Sequence, residues 1–410
     1  MHSYVLREAR VLDESGGFTE PVDVRVEDGR VAAVGRTLPA DTASYDFSGL
    51  WVMPGMFDCH LHVGSTTLEL AQWMRRPASE WALETAATCR TTLAGGVTFV
   101  RDCSGADAGI RDGIGKGYVI GPELQVSIVL ICMTGGHDDG FLPGPGTETS
   151  VMPNYPGRPP YRADGVDQMR LVVRSALRSG ADFVKLATTG GLLSDHDHPL
   201  EPQFTFEEIE AAVVEARRKG RGVASHAFGG EGLRNAVRAG VRSIEHGFFM
   251  TEEDAALMAE HGTWLVPTLS ILRDDVRWAE EGLLPPNQCQ KILDLEIDFG
   301  AAVALAKEHG VRIAAGTDYI TADQHGHNLE ELALMHRAGL TVEEALLAGT
   351  AGGAELCDVA GSHGRIAPGY VFDAIVLDED PGDLSRFGEP DLVRGVFKSG
   401  APVVPHERLA

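Results

Sequence analysis

FDCHLHV, residues 57–63, is the stretch on which the fold turns: a short apolar run carrying two histidines two positions apart. In an extended strand residues two apart point to the same face, so His60 and His62 project together. A brief apolar run ending in polar residues suits a strand buried in a parallel sheet, with its chemistry at the C-terminal end. Seven further segments share the form: VTFVRDC (97–103), QVSIVLI (125–131), FVKLAT (183–188), GVASHAF (222–228), SIEHG (243–247), WLVPTL (264–269) and RIAAGTD (312–318). Helical stretches lie between them, such as 206–219, with Ile209, Val213 and Ala216 on one face, and 298–309. Eight such alternations predict an α/β fold, a closed (β/α)8 TIM barrel spanning residues 56–359.

The two ends read differently. Residues 24–35 (VRVEDGRVAAVG) alternate around Asp28-Gly29 in the manner of a β-hairpin, and residues 364–378 (GRIAPGYVFDAIVLD) read as short strands broken by a Pro-Gly turn. Neither end alone can bury a sheet face, so residues 1–55 and 360–410 are expected to pair into one small β-sandwich. The longest irregular stretch, 134–162, is rich in Gly and Pro and is the candidate lid or binding loop.

Composition narrows the function classes. Sixty acidic against 35 basic side chains give a formal charge of −25, which repels nucleic acid over most of the surface. The six cysteines form no C-x-x-C pair and read as reduced and structural. No uninterrupted apolar leader or run of about 18 apolar residues is present, so no membrane association is expected and a cytoplasmic enzyme is the default. The expected partners are a small-molecule substrate and further copies of the chain in a homo-oligomer.

Three more segments place a metal-ligand type at the C-terminal end of a predicted strand: His226 in ASHAF, His246 in SIEHG and Asp318 in AGTD. A lone histidine near a strand end is more often a hydrogen-bonded structural residue, and Asp318 alone could be a helix N-cap. Four histidines and an aspartate at the same end of successive strands point instead to metal binding. Lys185, in FVKLATTGG, discriminates between mechanisms, because an ammonium beside metal cations is strongly disfavoured. Either its amine has reacted with carbon dioxide to give an anionic, two-oxygen carbamate, or the side chain snorkels outward or anchors a substrate carboxylate.

These residues give the chain a resemblance to the amidohydrolase superfamily over essentially its whole length, carried by PGMFDCHLHV, VKLATTGG, SHAFG, SIEHG, AGTD and GRIAPGYVFDAIVLD. The resemblance implies that His60, His62 and Asp318 hold one metal and His226 and His246 a second. It also implies that carboxylated Lys185 bridges them. Two divalent ions, with zinc favoured by affinity, are the implied cofactors together with carbon dioxide as the lysine carbamate. Within the superfamily the chain is most similar to the imidazolonepropionase-like group, which includes Xaa-Pro dipeptidases and carboxypeptidase-like enzymes. That likeness extends to the Thr134-Gly135-Gly136-His137 stretch, where such enzymes keep a histidine near the substrate carboxylate or carbonyl. One position departs from it: Phe228 stands where prolidase-like members often carry Tyr, which removes a phenolic contact to a substrate carboxylate.

The implied activity is hydrolysis of an amide C–N bond in a small molecule, as a dipeptidase, prolidase-like enzyme or N-acyl amino acid hydrolase. Asp318 would move the proton and His137 would give a second electrophilic contact. Arg158 and Arg162 are candidate partners of a substrate carboxylate. His196 and His198 read as a solvated loop, His325, His327 and Asn328 as supports of the site, and Thr188 and Thr189 as hydrogen-bond supports of Lys185. The alternatives are a mononuclear deaminase or cyclic-amide hydrolase of the same fold, and a non-catalytic metal-binding scaffold. Glu245, the residue a deaminase could use as proton shuttle, is expected on the opposite strand face from His246.

Overall fold

The computed structural model describes residues 3–39, 41–148, 152–195 and 197–409. Its central feature is a circuit of parallel segments. Strands Met56–Leu61, Val97–Asp102 and Glu123–Val126 pair in parallel, as do Leu130–Ile131, Val184–Ala187, Val223–Ala227, Ser243–His246 and Trp264–Val266. The third segment joins the two groups, because 123–126 pairs with the second strand and 130–131 with the fourth. It was expected as one strand over 125–131; Ile128, at φ 69°, breaks it.

The eighth segment closes the circuit without forming a regular ladder. Leu265 pairs in parallel with Ile313, and Cys59 N donates to Ala315 O at 2.8 Å, so 312–315 lies between the seventh and first segments. Gly316 allows this close passage, since a Cβ there would stand 2.5 Å from Val266 Cγ1 and 2.7 Å from His60 N. The expected helix at 206–219 runs Phe206–Arg217 with Ile209, Val213 and Ala216 buried, and begins at a Thr205/Glu208 capping box that satisfies its first amides. That expected at 298–309 is Ala301–Glu308. Their apolar faces pack into one continuous core with the strands.

The chain ends do meet. Trp51–Pro54 pairs antiparallel with Ala374–Leu377, and Ser3–Val11 pairs with both Val22–Glu27 and Trp51–Pro54. Asp28 and Gly29, at φ 46° and 81°, make the expected hairpin turn to Arg30–Gly35. Instead of two separate leaves, one eight-stranded sheet bends at Ser3–Val11, where Glu8 takes φ 58°. Tyr4, Leu6, Phe47, Phe372 and Phe397 fill the bend. Within 364–378 only Ala374–Leu377 is a strand. Among the described residues no helix is long and apolar enough to cross a membrane.

Candidate metal centre and active-site cavity

The C-terminal ends of the parallel segments converge on a cavity of about 160 Å³ lined by His60, His62, Lys185, His226, His246 and Asp318, together with His137. Three of these, His60, His246 and Asp318, offer ligand atoms that all lie within 4.8 Å of one another. His62 Nε2 is 2.9 Å from Asp318 Oδ1, His60 Nε2 is 3.4 Å from the same oxygen, and Lys185 Nζ is 3.3 Å from His60 Nε2. The rings of His226 and His246 stand 4.5 Å apart, and those of His60 and His246 5.1 Å apart. Strand order thus brings residues up to 258 positions apart into one group of imidazoles around a buried amine and a carboxylate.

Each imidazole is tethered through one nitrogen. His62 Nδ1 donates to Ser104 O at 2.6 Å and His226 Nε2 donates to Gly190 O at 3.0 Å, while His246 Nδ1 shares a 2.7 Å hydrogen bond with Thr268 Oγ1. His60 Nδ1 lies 3.0 Å from Glu245 Oε2, off the ideal hydrogen-bond direction. The other nitrogen of each ring is left for a ligand, which is the tether pattern of metal-binding histidines. Burial first, then the neighbouring Lys185 or imidazoles, holds His60, His226 and His246 well below the ordinary histidine range, so they are neutral and competent as ligands. Burial also acts to raise Asp318, but His60, His62 and Lys185 outweigh it and hold that carboxylate below its usual range. The donor set, neutral imidazoles with an anionic carboxylate, fits a divalent transition metal.

His246 and Asp318 reach this geometry through left-handed backbone, at φ 77° and 58°, as does Thr268 at 49°. Such conformations cost about 1–3 kcal/mol each and cluster at functional sites. The turn at His246 also ends the strand alternation: Glu245 does not point away from the group, but sits beneath His60 and accepts a 2.7 Å hydrogen bond from Arg101 Nη2. Glu245 is fully buried and does not line the cavity.

Other expected residues fall in several places. His137 stacks on His226 with ring centroids 4.1 Å apart, and its Nδ1 lies 3.4 Å from Ser194 Oγ. Phe228 packs against His226 at 4.7 Å and Phe248 at 5.0 Å, as part of an apolar wall. Arg158 and Arg162 line a separate, more open hollow with Tyr155 and Tyr161; Arg162 pairs with Asp139 at 3.1 Å and Arg158 Nη1 donates to Asn154 Oδ1 at 2.8 Å. The geometry does not bring them to the metal-ligand cavity, because the loop's Pro-rich return carries them outward. Thr188 and Thr189 bond to Ser225 Oγ and Phe228 N rather than to Lys185. His198 is exposed, His325 Nε2 donates to Ser65 O at 3.1 Å, and His196 lies outside the described residues.

Two supports were missed by sequence reasoning. Asp58 accepts from Thr317 N at 3.1 Å, Thr317 Oγ1 at 2.7 Å and Asn328 Nδ2 at 2.8 Å, and so clamps the first segment to the eighth next to His60 and Asp318. Burial pushes its carboxyl up to about 6 against those bonds. Asp102 accepts from Val63 N at 2.8 Å and Ala106 N at 3.0 Å, which anchors the chain just beyond His62. The signal for both was a carboxylate inside an apolar strand, which must be paired to be buried.

Comparison with known proteins agrees with this geometry. Residues 51–403 match the Amidohydrolase family. Ochratoxinase from Aspergillus niger is 35% identical over 365 residues, covering 85% of this chain and 75% of that protein. Imidazolonepropionase from Pseudomonas entomophila is 27% identical, covering 87% of this chain and 86% of that one. A crystal structure of a prolidase complexed with N-methylphosphonate-L-proline superposes with a TM-score of 0.90 at 30% identity, covering 98% of this chain and 100% of that one. Spanning the circuit of segments, the ligand group and the joined chain ends, the match shows that this chain belongs to the amidohydrolase family and is a hydrolase of amide bonds.

Proposed function

We propose that the protein hydrolyses an amide bond in a small molecule, dipeptidase- or prolidase-like or N-acyl amino acid substrates, at a binuclear centre at the mouth of a (β/α)8 barrel. In this reading residues 56–359 form the barrel, and 1–55 with 360–410 the appended β-domain of a cytoplasmic homo-oligomer. His60, His62 and Asp318 hold one ion, His226 and His246 the other, and Lys185 bridges them as a carbamate. The observation that carries the reading is the set of four imidazoles, each held through its rear nitrogen, around the buried Lys185 amine.

When bound, divalent ions, zinc first by affinity, lower the pKa of a water and polarise the amide carbonyl. The residues do the rest. Asp318 takes a proton from the attacking water and delivers it to the leaving nitrogen as the C–N bond breaks, giving one acid and one amine. Stacked on His226, His137 presents a polar edge to the substrate carbonyl or carboxylate. Phe228, Phe248 and Leu192 keep bulk water from the reacting atoms.

The grouping of His60, His246 and Asp318 within 4.8 Å would also suit a single ion, the mononuclear alternative. Elemental analysis of active, metal-replete enzyme decides between them, with about two ions per chain expected. A screen of dipeptides, N-acyl amino acids and cyclic amides tests the chemistry. Turnover of cyclic amides or deamination alone, at one ion per chain, would replace the proposal.

A further inference from the structure

Asp275 sits on helix Leu269–Glu280, which follows the seventh segment, and lines the same cavity as the ligand group. It is only 4% exposed, its Oδ1 has no hydrogen-bond partner, and among the described residues no basic side chain pairs with it. Its neighbour Asp274 shows what an ordinary acid does here: it takes Arg273 at 3.0 Å, Arg277 at 3.4 Å and Gln324 Nε2 at 2.6 Å. Burying a carboxylate without a partner is strongly unfavourable, so retaining one in a cavity wall calls for a partner that arrives with the ligand. Ile271, one helical turn earlier, with Phe228, Phe248 and Ile320, gives that wall an apolar surface suited to an aliphatic stem. The lining holds no guanidinium, and its one amine is Lys185.

We propose that Asp275 is a specificity-determining residue that receives a cationic group of the substrate, an ammonium or guanidinium on an apolar stem. This rests on the amide-hydrolase reading of the cavity and narrows it: amides carrying a positive charge are preferred over neutral or anionic N-acyl compounds. The charge could be the α-ammonium of a dipeptide or a side-chain amine, and the test separates them.

Metal-loaded wild type and Asp275→Asn are compared by calorimetric binding and by turnover. The probes are Ala-Lys against Ala-norleucine, and each against its N-acetyl form. Wild type should favour one charged member of a pair at least about tenfold, which is roughly 1.4 kcal/mol, and Asp275→Asn should abolish that preference while binding the neutral member as before. Loss of preference in the lysine pairs assigns the side-chain amine; loss in the acetylated pairs assigns the α-ammonium. Equal binding of charged and neutral members by wild type, or a preference that survives in Asp275→Asn, overturns the assignment. Failure of every probe to turn over would strike at the amide-hydrolase reading, while the binding arm would still decide the role of Asp275.

Discussion

Glu245 Oε2 lies 3.0 Å from His60 Nδ1, on the ring edge away from Lys185 and Asp318, and Glu245 Oε1 takes Arg101 Nη2 at 2.7 Å. Arg101 also reaches Cys59 O at 2.6 Å and Ser243 Oγ at 3.0 Å, so a buried ion pair spans the floor of the circuit and braces the first histidine from behind. A carboxylate behind a ligating imidazole fixes its tautomer and raises its basicity.

Glu245→Gln should therefore weaken metal retention by about 10- to 100-fold, read by competition with a chelator. It should also destabilise the fold by about 3 kcal/mol, because Arg101 keeps only neutral acceptors. Replacing both partners, Arg101→Met with Glu245→Gln, should recover much of the stability but none of the metal affinity. Unchanged chelator competition in the single variant would mean that Glu245 serves the fold alone.

The contrast between residues that were legible and those that were not has a physical basis. His60, His62, His226, His246 and Asp318 could be found because strand ends in a parallel circuit share one rim, so position along each apolar run is enough. Glu245 was misplaced because strict alternation was assumed through His246, where the chain takes φ 77°. No pattern could pick Asp275 from Asp274: both lie buried on one helix, and only tertiary neighbours decide that one is paired and the other is not. The chain-end sheet was legible as a pairing but not as a shape, since the bend depends on Glu8 leaving the extended region.

Arg158 and Arg162 were candidates for a substrate carboxylate on residue type and loop position alone, and the geometry redirects them. They flank Tyr161, at 5.1 and 5.9 Å from its ring centroid, in a hollow separate from the ligand group. Arg158→Ala and Arg162→Ala should each change kcat/KM on small substrates by less than about threefold, under 0.7 kcal/mol of transition-state binding. A loss of about a hundredfold in either would show that the loop closes over the cavity during turnover.

Glu331 makes stability depend on pH. Its carboxylate accepts from Leu269 N at 2.9 Å, Ser270 N at 2.8 Å and Ser270 Oγ at 2.6 Å, capping the helix that carries Asp275. Burial nevertheless pushes it from 4.5 up to about 7. An acid whose folded value is raised stabilises fully below its unfolded value and loses that contribution as pH climbs through the folded one. Between about pH 5 and pH 8 the wild type should lose on the order of 3 kcal/mol relative to Glu331→Gln, measured by chemical denaturation. Parallel pH profiles for the two proteins would exclude Glu331 as the source.

Lys185 carries the largest consequence. The side chain is 1% exposed, its Nζ is 3.3 Å from His60 Nε2, and among the described residues no carboxylate forms an ion pair with it. An ammonium so placed is repelled by any cation the imidazoles bind, whereas a carbamate supplies two anionic oxygens to the same space. Metal assembly from metal-free protein should therefore depend on bicarbonate. Lys185→Ala should bind about one ion instead of about two and lose at least about a thousandfold in kcat. Short-chain carboxylic acids should restore part of both, by filling the vacated space with the missing oxygens; that rescue separates a bridging role from simple damage to the core. High-resolution density on the metal-loaded protein should show three extra atoms beyond Nζ, with oxygens about 2.0–2.2 Å from each ion if zinc is bound. Full metal content and activity in Lys185→Ala, or an unmodified amine beside two bound ions, would remove the carbamate and leave the single-ion centre of His60, His246 and Asp318 as the better account.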